Sequence, residues 1–508
     1  MSLRARVRRR TRWQNHTGNQ GVDPLAIAKP GTLEELVRLV QEAERDGTTV
    51  RAVGSGHSWS DVALCSGVVI ETHGLNRCPP GPPPLLRAGV DGSTLVWTEA
   101  GIRLRELNRT LHARDLALSN MGGYDAQTVA GVLGTSTHGS GIRFGPIADA
   151  VRSLDLVAAG GRVHRIEPHD GPTDRAAFHA AHPDRELVQD DDTFHAVVVG
   201  MGCMGIVYAA TIAVEPAYCL KEVRTITTWD AVKADLLDPS RAVLHASRHY
   251  EVLVNPYPGK DGQHVCLVTT RRRTACRRRY AVRTRSLLVE LTSAFPLTSS
   301  ILNVILGLWP RIAPRLIDAQ MRAIRRRDFE NVSYRVLNIG NANLLRAYSA
   351  EIGVPLDGDT HVQAVERVFE VAAQRRRLGQ AFHSSAFSLR FVKASPAFMS
   401  MMQGRDTMMI ELILLTHTEG GMELLAAHEE ALYALGGRPH WGQVNTLTGS
   451  HDLVASMYPR YGDWLAVHRR FNASGVFDSP FSKRVGITTS SFAAGAGAGE
   501  DADRELAS

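Results

Sequence analysis

Apolar residues recur at helical spacing at Leu33, Leu36, Val37 and Val40, behind Thr32 and Glu35 spaced as a capping box. Residues 32–46 are therefore expected to form an amphipathic helix, stopped at Gly47. Short apolar runs at 25–28, 48–53 and 68–72 predict strands, and 104–111 returns to helical spacing. Residues 151–159 and 163–166 read as a hairpin turning at Gly160 and Gly161. The stretch 194–212, punctuated by Gly200, Gly202 and Gly205, reads as a buried strand-turn-strand. Near Pro216 the character changes, and from 217 to about 437 strands mix with long helical stretches. The expected class is α+β. The expected division is a basic arm (1–20), a first domain (21–216), a second domain (217–437), a segment returning to the first (438–490) and a disordered Ala/Gly/acidic tail (491–508).

A chain of 508 residues exceeds one ordinary hydrophobic core, in keeping with that division. With 44% hydrophobic and 22% charged residues it has an ordinary globular composition. The net charge of +6 is concentrated locally, with six arginines within 1–13 and eight within 271–285. Each run is expected to be a solvated basic face. Neither carries interleaved aromatics or a reading motif, so nucleic acid is excluded as a partner. Cysteines 65, 78, 203, 219, 266 and 276 form no CxxC pair, so neither a disulfide framework nor a zinc ribbon is expected. A reducing, cytoplasmic compartment fits, and no secretory or twin-arginine signal is read. Residues 291–309 hold no charge but include Pro296 and Gly307. A helix of the second domain is expected there, the alternative being peripheral contact at the inner membrane face through 271–309.

Two glycine-bracketed stretches change the picture. The first is Val53-Gly54-Ser55-Gly56-His57-Ser58-Trp59, after a strand; the second runs from Thr128 through Gly131, Gly134 and Thr137-His138-Gly139-Ser140-Gly141. Glycines admit close approach of backbone amides to an anion, so two such loops suit a diphosphate. As a dinucleotide fingerprint the first is incomplete, because Trp59 fills the third glycine position and Glu71 falls short of the usual acidic spacing. His57, directly behind the loop, is either a satisfied core histidine or an imidazole within reach of a cofactor ring.

These stretches, with Trp13-Gln14-Asn15, Gly74-Leu75-Asn76, residues 202–207 and Arg438-Pro439-His440-Trp441-Gly442, resemble the vanillyl-alcohol-oxidase flavoproteins with the p-cresol methylhydroxylase-type FAD fold. Within them the resemblance is to the gulonolactone/arabinonolactone and alditol oxidase branch. It implies a two-subdomain FAD-binding domain and an α+β substrate (cap) domain. It implies FAD joined covalently through His57 and lined by Ala52, Val53, Gly54, Ser55, Gly56, Ser58, Thr128, Gly131, Thr135, Ser136, Thr137, His138 and Ile206. Each serine or threonine among them is also readable as turn chemistry. Gly122 falls where relatives use residue size to control oxygen access, and Gly123 beside it lacks a hydroxyl that alditol oxidases offer to substrate.

Two departures stand out against that resemblance. Relatives carry Glu-x-Arg on a strand where this chain has Ser388-Leu389-Arg390, and HWGK where it has His440-Trp441-Gly442-Gln443. Loss of both charges makes a less polar, sterol-like alcohol an alternative to a lactone or alditol, with the methionines at 399, 401 and 402 read either as core or as a substrate wall. The implied chemistry is hydride transfer from a CH–OH carbon to flavin N5. Arg390 would stabilise developing negative charge, Gln443 would offer hydrogen bonds, and His440 would be the base, with His383 and Glu411 as further candidates. Oxygen, giving hydrogen peroxide, is the expected acceptor. A quinone or protein acceptor at a membrane, or a catalytically silent flavin protein, are the alternatives; oligomeric state is left open.

Overall fold

The computed structural model describes residues 7–9, 12–276, 309, 312–325, 329–340, 347–416, 418–449 and 451–488. Near the start of the chain, the Thr32 hydroxyl accepts the Glu35 amide (3.2 Å) and opens helix α1 (Leu33–Arg45). Glu35 returns its carboxylate to the Gly31 amide (2.7 Å), one residue before the one a capping box would use. The apolar stripe Leu36, Leu39, Val40 and Ala43 is buried between two sheets, touching a cluster that includes Val50 and Ile70 on one side and Val157, Ile206 and Tyr208 on the other. The first sheet contains β1 (Val7–Arg9), β2 (Ala26–Ala28), β3 (Val50–Val53) and β4 (Val68–Glu71) in the order β1-β2-β4-β3. Part of the arginine-rich arm is thus an edge strand, antiparallel to β2.

The second sheet takes β5 (Leu95–Glu99), β6 (Val151–Val157), β7 (Val163–Glu167), β8 (Glu186–Gln189) and β9 (Ile206–Ala213) in the order β8-β7-β6-β9-β5. β6 and β7 form the expected hairpin, with Gly160 and Gly161 at φ 74° and 68°, the left-handed region that glycine enters without steric cost. Helices α2 (Leu104–His112) and α3 (Val129–Gly134) lie between β5 and β6 in the chain. The strand-turn-strand expected over 194–212 is half wrong. Its first part is helix α4 (Asp191–Val197), because the Asp190 carboxylate accepts the Thr193 amide (2.8 Å) and caps a helix there.

The remainder builds one eight-stranded sheet, antiparallel throughout. Its strands are β10 (Cys219–Thr228), β11 (His249–Val254), β12 (Val265–Thr274), β13 (Phe329–Val332), β14 (Ala347–Pro355), β15 (Phe387–Val392), β16 (Thr407–Leu415) and β17 (Arg438–Pro439), ordered β13-β10-β12-β11-β15-β16-β14-β17. Side chains alternate across it. Val252, Ile352, Leu389 and Ile410 pack with Val365 and Val368 of α5 (Thr360–Arg377) and Leu424 and Leu425 of α6 (Gly421–Tyr433). Their chain neighbours Glu251, Glu351, Arg390 and Glu411 turn to the opposite face. β17 shows how the chain beyond α6 is attached: it closes the sheet beside β14, and Gly442 O then accepts the Trp59 amide.

Two expectations from composition are corrected. Arg271, first of the second basic run, is not on a solvated face but buried, 2.8 Å from Glu222 and 3.1 Å from Glu251. Cys219 and Cys276 form a disulfide, since the β10/β12 pairing sets Cys219 opposite Thr274; spacing along the chain could not show this. Residues 277–308 and 491–508, which hold the rest of the basic run, almost all of the uncharged stretch and the expected tail, lie outside the described residues. No described helix is long and apolar enough to cross a membrane.

Removing Arg271 would leave Glu222 and Glu251 buried with one cationic partner fewer each. Arg271→Met is expected to cost about 3–5 kcal/mol, read as a lower midpoint in chemical denaturation, far more than a change at the exposed Arg272.

Candidate active site

β3 delivers the chain into the first glycine loop, where Gly56 sits at φ 65° and any side chain at Gly54 would collide with the Thr128 hydroxyl. The loop is tied on several sides. The His16 amide donates to Gly56 O (2.8 Å), Asn15 Nδ2 to Ser58 O (2.9 Å), and the Trp59 amide to Gly442 O (2.8 Å). The Ser55 hydroxyl donates to Ala126 O. Carbonyls are thus spent inside the protein, whereas the consecutive amides of Ser55, Gly56, His57 and Ser58 meet no acceptor among the described residues. Orphan donors in a tight, half-buried turn are costly unless water or an anion takes them, and a diphosphate is an anion of suitable size. The residues present therefore fit the diphosphate of a dinucleotide.

His57 is held between the rings of His16 (4.4 Å between centroids) and Tyr124 (4.3 Å). Burial, then the charges of His16 and Arg103, push its pKa down to about 3. At neutral pH it is an uncharged imidazole with a lone pair, the form that can bond to an electrophilic carbon.

The second loop contributes less than expected to an anion cradle. The Val129 and Ala130 amides donate to Ile102 O and Ala100 O, and the Gly131 amide to Thr128 Oγ1. Thr135 Oγ1 donates to Gly131 O and lies 3.3 Å from Thr137 Oγ1, and Ser136 Oγ donates to Ser400 Oγ (2.8 Å). For these hydroxyls the turn-chemistry reading describes their bonds. Val53 is buried against Trp13, Ala52 is half-buried, and Ile206 is in the core beside Val157. Gly122 and Gly123 face inward: a Cβ would stand 3.3 Å from His138 O at the first and 3.1 Å from Ile339 Cγ2 at the second. Met399, Met401 and Met402 are fully buried in the core, not in a substrate wall.

His138, by contrast, leaves the loop and reaches the eight-stranded sheet. Its Nδ1 faces Gly139 O (2.8 Å) and its Nε2 lies 3.3 Å from Glu351 Oε1. Glu351 belongs to a line of charges running across the strands. Glu222 on β10 pairs with Arg271 on β12, Arg271 with Glu251 on β11, and Glu251 with Arg390 on β15 (3.4 Å). Arg390 ends the line by reaching Glu411 on β16 (2.8 Å) and Glu351 on β14 (3.3 Å). Opposing the burial that would raise them, Arg271 and Arg390 hold the Glu251 carboxyl at about 2, and His138 and Arg390 do the same for Glu351. Glu411 moves the other way: burial raises its pKa, helped by the charges of Glu351 and Glu251 and opposed by Arg390 and Ser388.

The remaining expected residues gather here. Ser388 is the cross-strand partner of Glu411 and donates to it (3.1 Å), so a carboxylate stands beside Arg390 although position 388 has none. Gln443 accepts from Ser349, which also reaches Glu411 (3.3 Å). His440 Nδ1 accepts the Gly442 amide (3.0 Å), so the neutral ring offers its Nε2–H; burial lowers its pKa to about 4. His383 is elsewhere, bonded to His428. Sequence reasoning missed Glu251 and Glu351 altogether. An isolated acidic residue in an apolar strand was the available signal, repeated at 251, 351 and 411.

Known families match the chain in two parts. A FAD binding domain family matches residues 24–167, and the D-arabinono-1,4-lactone oxidase family matches residues 210–485, over half of the chain. An L-gulono-1,4-lactone dehydrogenase of Mycobacterium tuberculosis is 28% identical over 480 residues, covering 93% of this chain and 98% of that protein. An alditol oxidase of Streptomyces sp. is 26% identical, covering 92% and 97%. Cholesterol oxidase from B. sterolicum has the same fold, with a TM-score of 0.73 at 14% identity over 94% of this chain and 97% of that one.

Because the folded-state pKa of Glu351 is depressed to about 2, its ion pairs stabilise the fold above the ordinary glutamate value of 4.5, and this contribution is lost as pH falls through about 2. The stability gap between the protein and Glu351→Gln is expected to be full at pH 6 and to shrink toward pH 2, followed by urea unfolding at each pH.

Proposed function

We propose, from the premise that the chain belongs to the D-arabinono-1,4-lactone oxidase family, that it oxidises a CH–OH group of a sugar lactone or alditol with FAD tethered through His57 and oxygen as acceptor. It is an FAD-linked oxidoreductase acting on CH–OH donors. The observation that carries the substrate class is the polar wall made by Arg390, Glu411, Ser349, Ser388 and Gln443. Hydroxyl-rich substrates can use the donor and acceptor capacity this wall has left over, whereas a sterol would cover its charged groups without adding a hydrogen bond. The likeness to cholesterol oxidase is one of fold alone.

When bound, FAD supplies a two-electron acceptor for the hydride. The chain's own residues then divide the work. The amides of Ser55, Gly56, His57 and Ser58 would hold the diphosphate, and neutral His57 would carry the covalent tether. Gly54 lets Thr128 close against the loop. Arg390 offsets negative charge as the substrate hydroxyl loses its proton, and His440 donates from Nε2. One cation set among three carboxylates also favours an uncharged, ring-closed lactone over its anionic hydrolysis product.

The acceptor is the finer question, since relatives bear both oxidase and dehydrogenase names. Gly122 supports oxygen: the position is tight, a Cβ there standing 3.3 Å from His138 O, so any side chain would crowd the approach. Peripheral contact with a membrane and quinone reduction remain the competing arrangement.

Denatured holoenzyme is expected to retain flavin fluorescence on a gel, and His57→Ala to lose it while still binding FAD reversibly. Anaerobic bleaching by lactones or alditols, but not by sterols, supports the substrate class, and the reverse pattern overturns it. Gly122→Ala is expected to slow reoxidation of the reduced protein by oxygen at least about tenfold with little change in the rate of reduction by substrate. An unchanged oxygen rate would remove Gly122 from that role.

A further inference from the structure

We propose that Glu411 takes the substrate's hydroxyl proton, presented from the strand beside that of Arg390. The inference rests on the CH–OH oxidation just described. Four carboxylates lie along the line of charges, and three are pinned. Glu222 lies against Arg224 and Arg271, Glu251 between Arg271 and Arg390, and Glu351 between His138 and Arg390. Among the described residues Glu411 has Arg390 as its single cationic partner, and it has Glu351 directly opposite it on β14. Like charges facing each other across a ladder repel, and a proton on one of them relieves the repulsion. The groups facing Glu411 are Arg390 and Ser388 from β15, Glu351 and Ser349 from β14, Glu251 from β11 and Gln443 from the returning segment. Their balance makes its carboxylate the more basic one.

Hydrogen-bond polarity points the same way. Ser349 has one hydroxyl proton, yet its Oγ stands within reach of two acceptors, Glu411 Oε1 and Gln443 Oε1. With Glu411 ionised, Ser349 donates to it and the Gln443 amide turns its Nε2–H toward Ser349 Oγ. With a proton on Glu411 Oε1 the chain closes: Glu411 donates to Ser349, and Ser349 donates to Gln443. The Ser349–Gln443 pair thus serves Glu411 in both states, and a proton is taken at this oxygen by a turn of one hydroxyl and one amide. His440 is not suited to that task, because the Gly442 amide occupies its Nδ1 and its neutral ring presents a proton at Nε2.

In the step, the carbinol C–H bond breaks with its electron pair, which leaves as hydride to the flavin. The O–H bond breaks, its electron pair becomes the second C–O bond of the carbonyl, and its proton joins Glu411 Oε1. The carbon is oxidised by two electrons, the flavin takes two electrons and the hydride's nucleus, and Glu411 gains the remaining proton. Ser388 and Ser349 are positioning residues.

The test uses holoenzyme with L-gulono-1,4-lactone as probe. Glu411→Gln is expected to keep its flavin and to slow anaerobic reduction about 100- to 10,000-fold, the usual range for a lost general base. The acid limb of the wild-type pH profile is expected to disappear with it. Ser388→Glu combined with Glu411→Ser returns a carboxyl from the cross-strand position and is expected to recover at least about tenfold over Glu411→Ser alone. Infrared titration of the oxidised, substrate-free holoenzyme reads the proton independently of turnover: the carboxyl band lost in Glu411→Gln is expected to protonate above an ordinary glutamate. Wild-type reduction rates in Glu411→Gln, or a band titrating as an ordinary glutamate, overturn the proposal. If neither lactone nor alditol bleaches the wild-type flavin, the substrate reading fails, and the infrared band still decides whether Glu411 holds the proton.

Discussion

A buried line of alternating charge, running at right angles to the strands of the eight-stranded sheet, is the constraint on which the site depends. Taking several charges out of water is expensive, and the cost is met only if every carboxylate finds a cation or donor of good geometry. Strand register meets that condition by placing Glu222 opposite Arg271 and Glu251 opposite Arg390. A one-residue slip in any of these pairings would send a charge into the apolar face beneath α5 and α6. Register, charge pairing and core packing thus specify one another, and the end of the line at Arg390 inherits the rigidity of the whole sheet.

That rigidity matters because the cofactor loop belongs to another part of the chain. His138 reaches from the second glycine loop to Glu351, and the Gly141 amide donates to Phe391 O (2.7 Å). The returning segment pairs with β14 and then offers Gly442 O to the Trp59 amide. Apart from the His138–Glu351 contact, these links join the orphan amides at 55–58 and the polar wall at Arg390 through backbone bonds. A reaction that needs a carbon placed between a flavin and a proton acceptor gains from such fixed geometry.

Local features were the legible ones. The Thr32 cap, the stripe of α1 and the Gly160-Gly161 hairpin are each set by neighbours within a few residues, and each is found where periodicity places it. The glycine loops were legible for the same reason, although the sequence could not show that the 55–58 amides are open while the hydroxyls of the second loop are spent internally. The Asp190 cap was the local signal passed over in reading 194–212 as a strand. What escaped depends on pairing between distant strands. Cys219 meets Cys276, Arg271 meets Glu222, and Glu411 meets Ser388 only once the order of the sheet is known.

Position 388 shows why reading a motif one residue at a time misleads. Serine there, in place of the glutamate of the resembling flavoproteins, suggests a site that has lost charge and turned toward apolar alcohols. In the folded sheet the nearest side chain across the ladder is Glu411, so the carboxyl stands beside the same guanidinium from the neighbouring strand. Chemistry constrains where a functional group lies in space; it does not constrain which strand supplies it. A carboxyl supplied from the paired strand preserves the group without the linear pattern, and Ser388 then holds Glu411 in place by a hydrogen bond that a glutamate at 388 could donate only when protonated. A neutral Gln443 fits the same arrangement, since its carbonyl accepts the Ser349 hydroxyl, a bond that a lysine ammonium, having no acceptor, could not make.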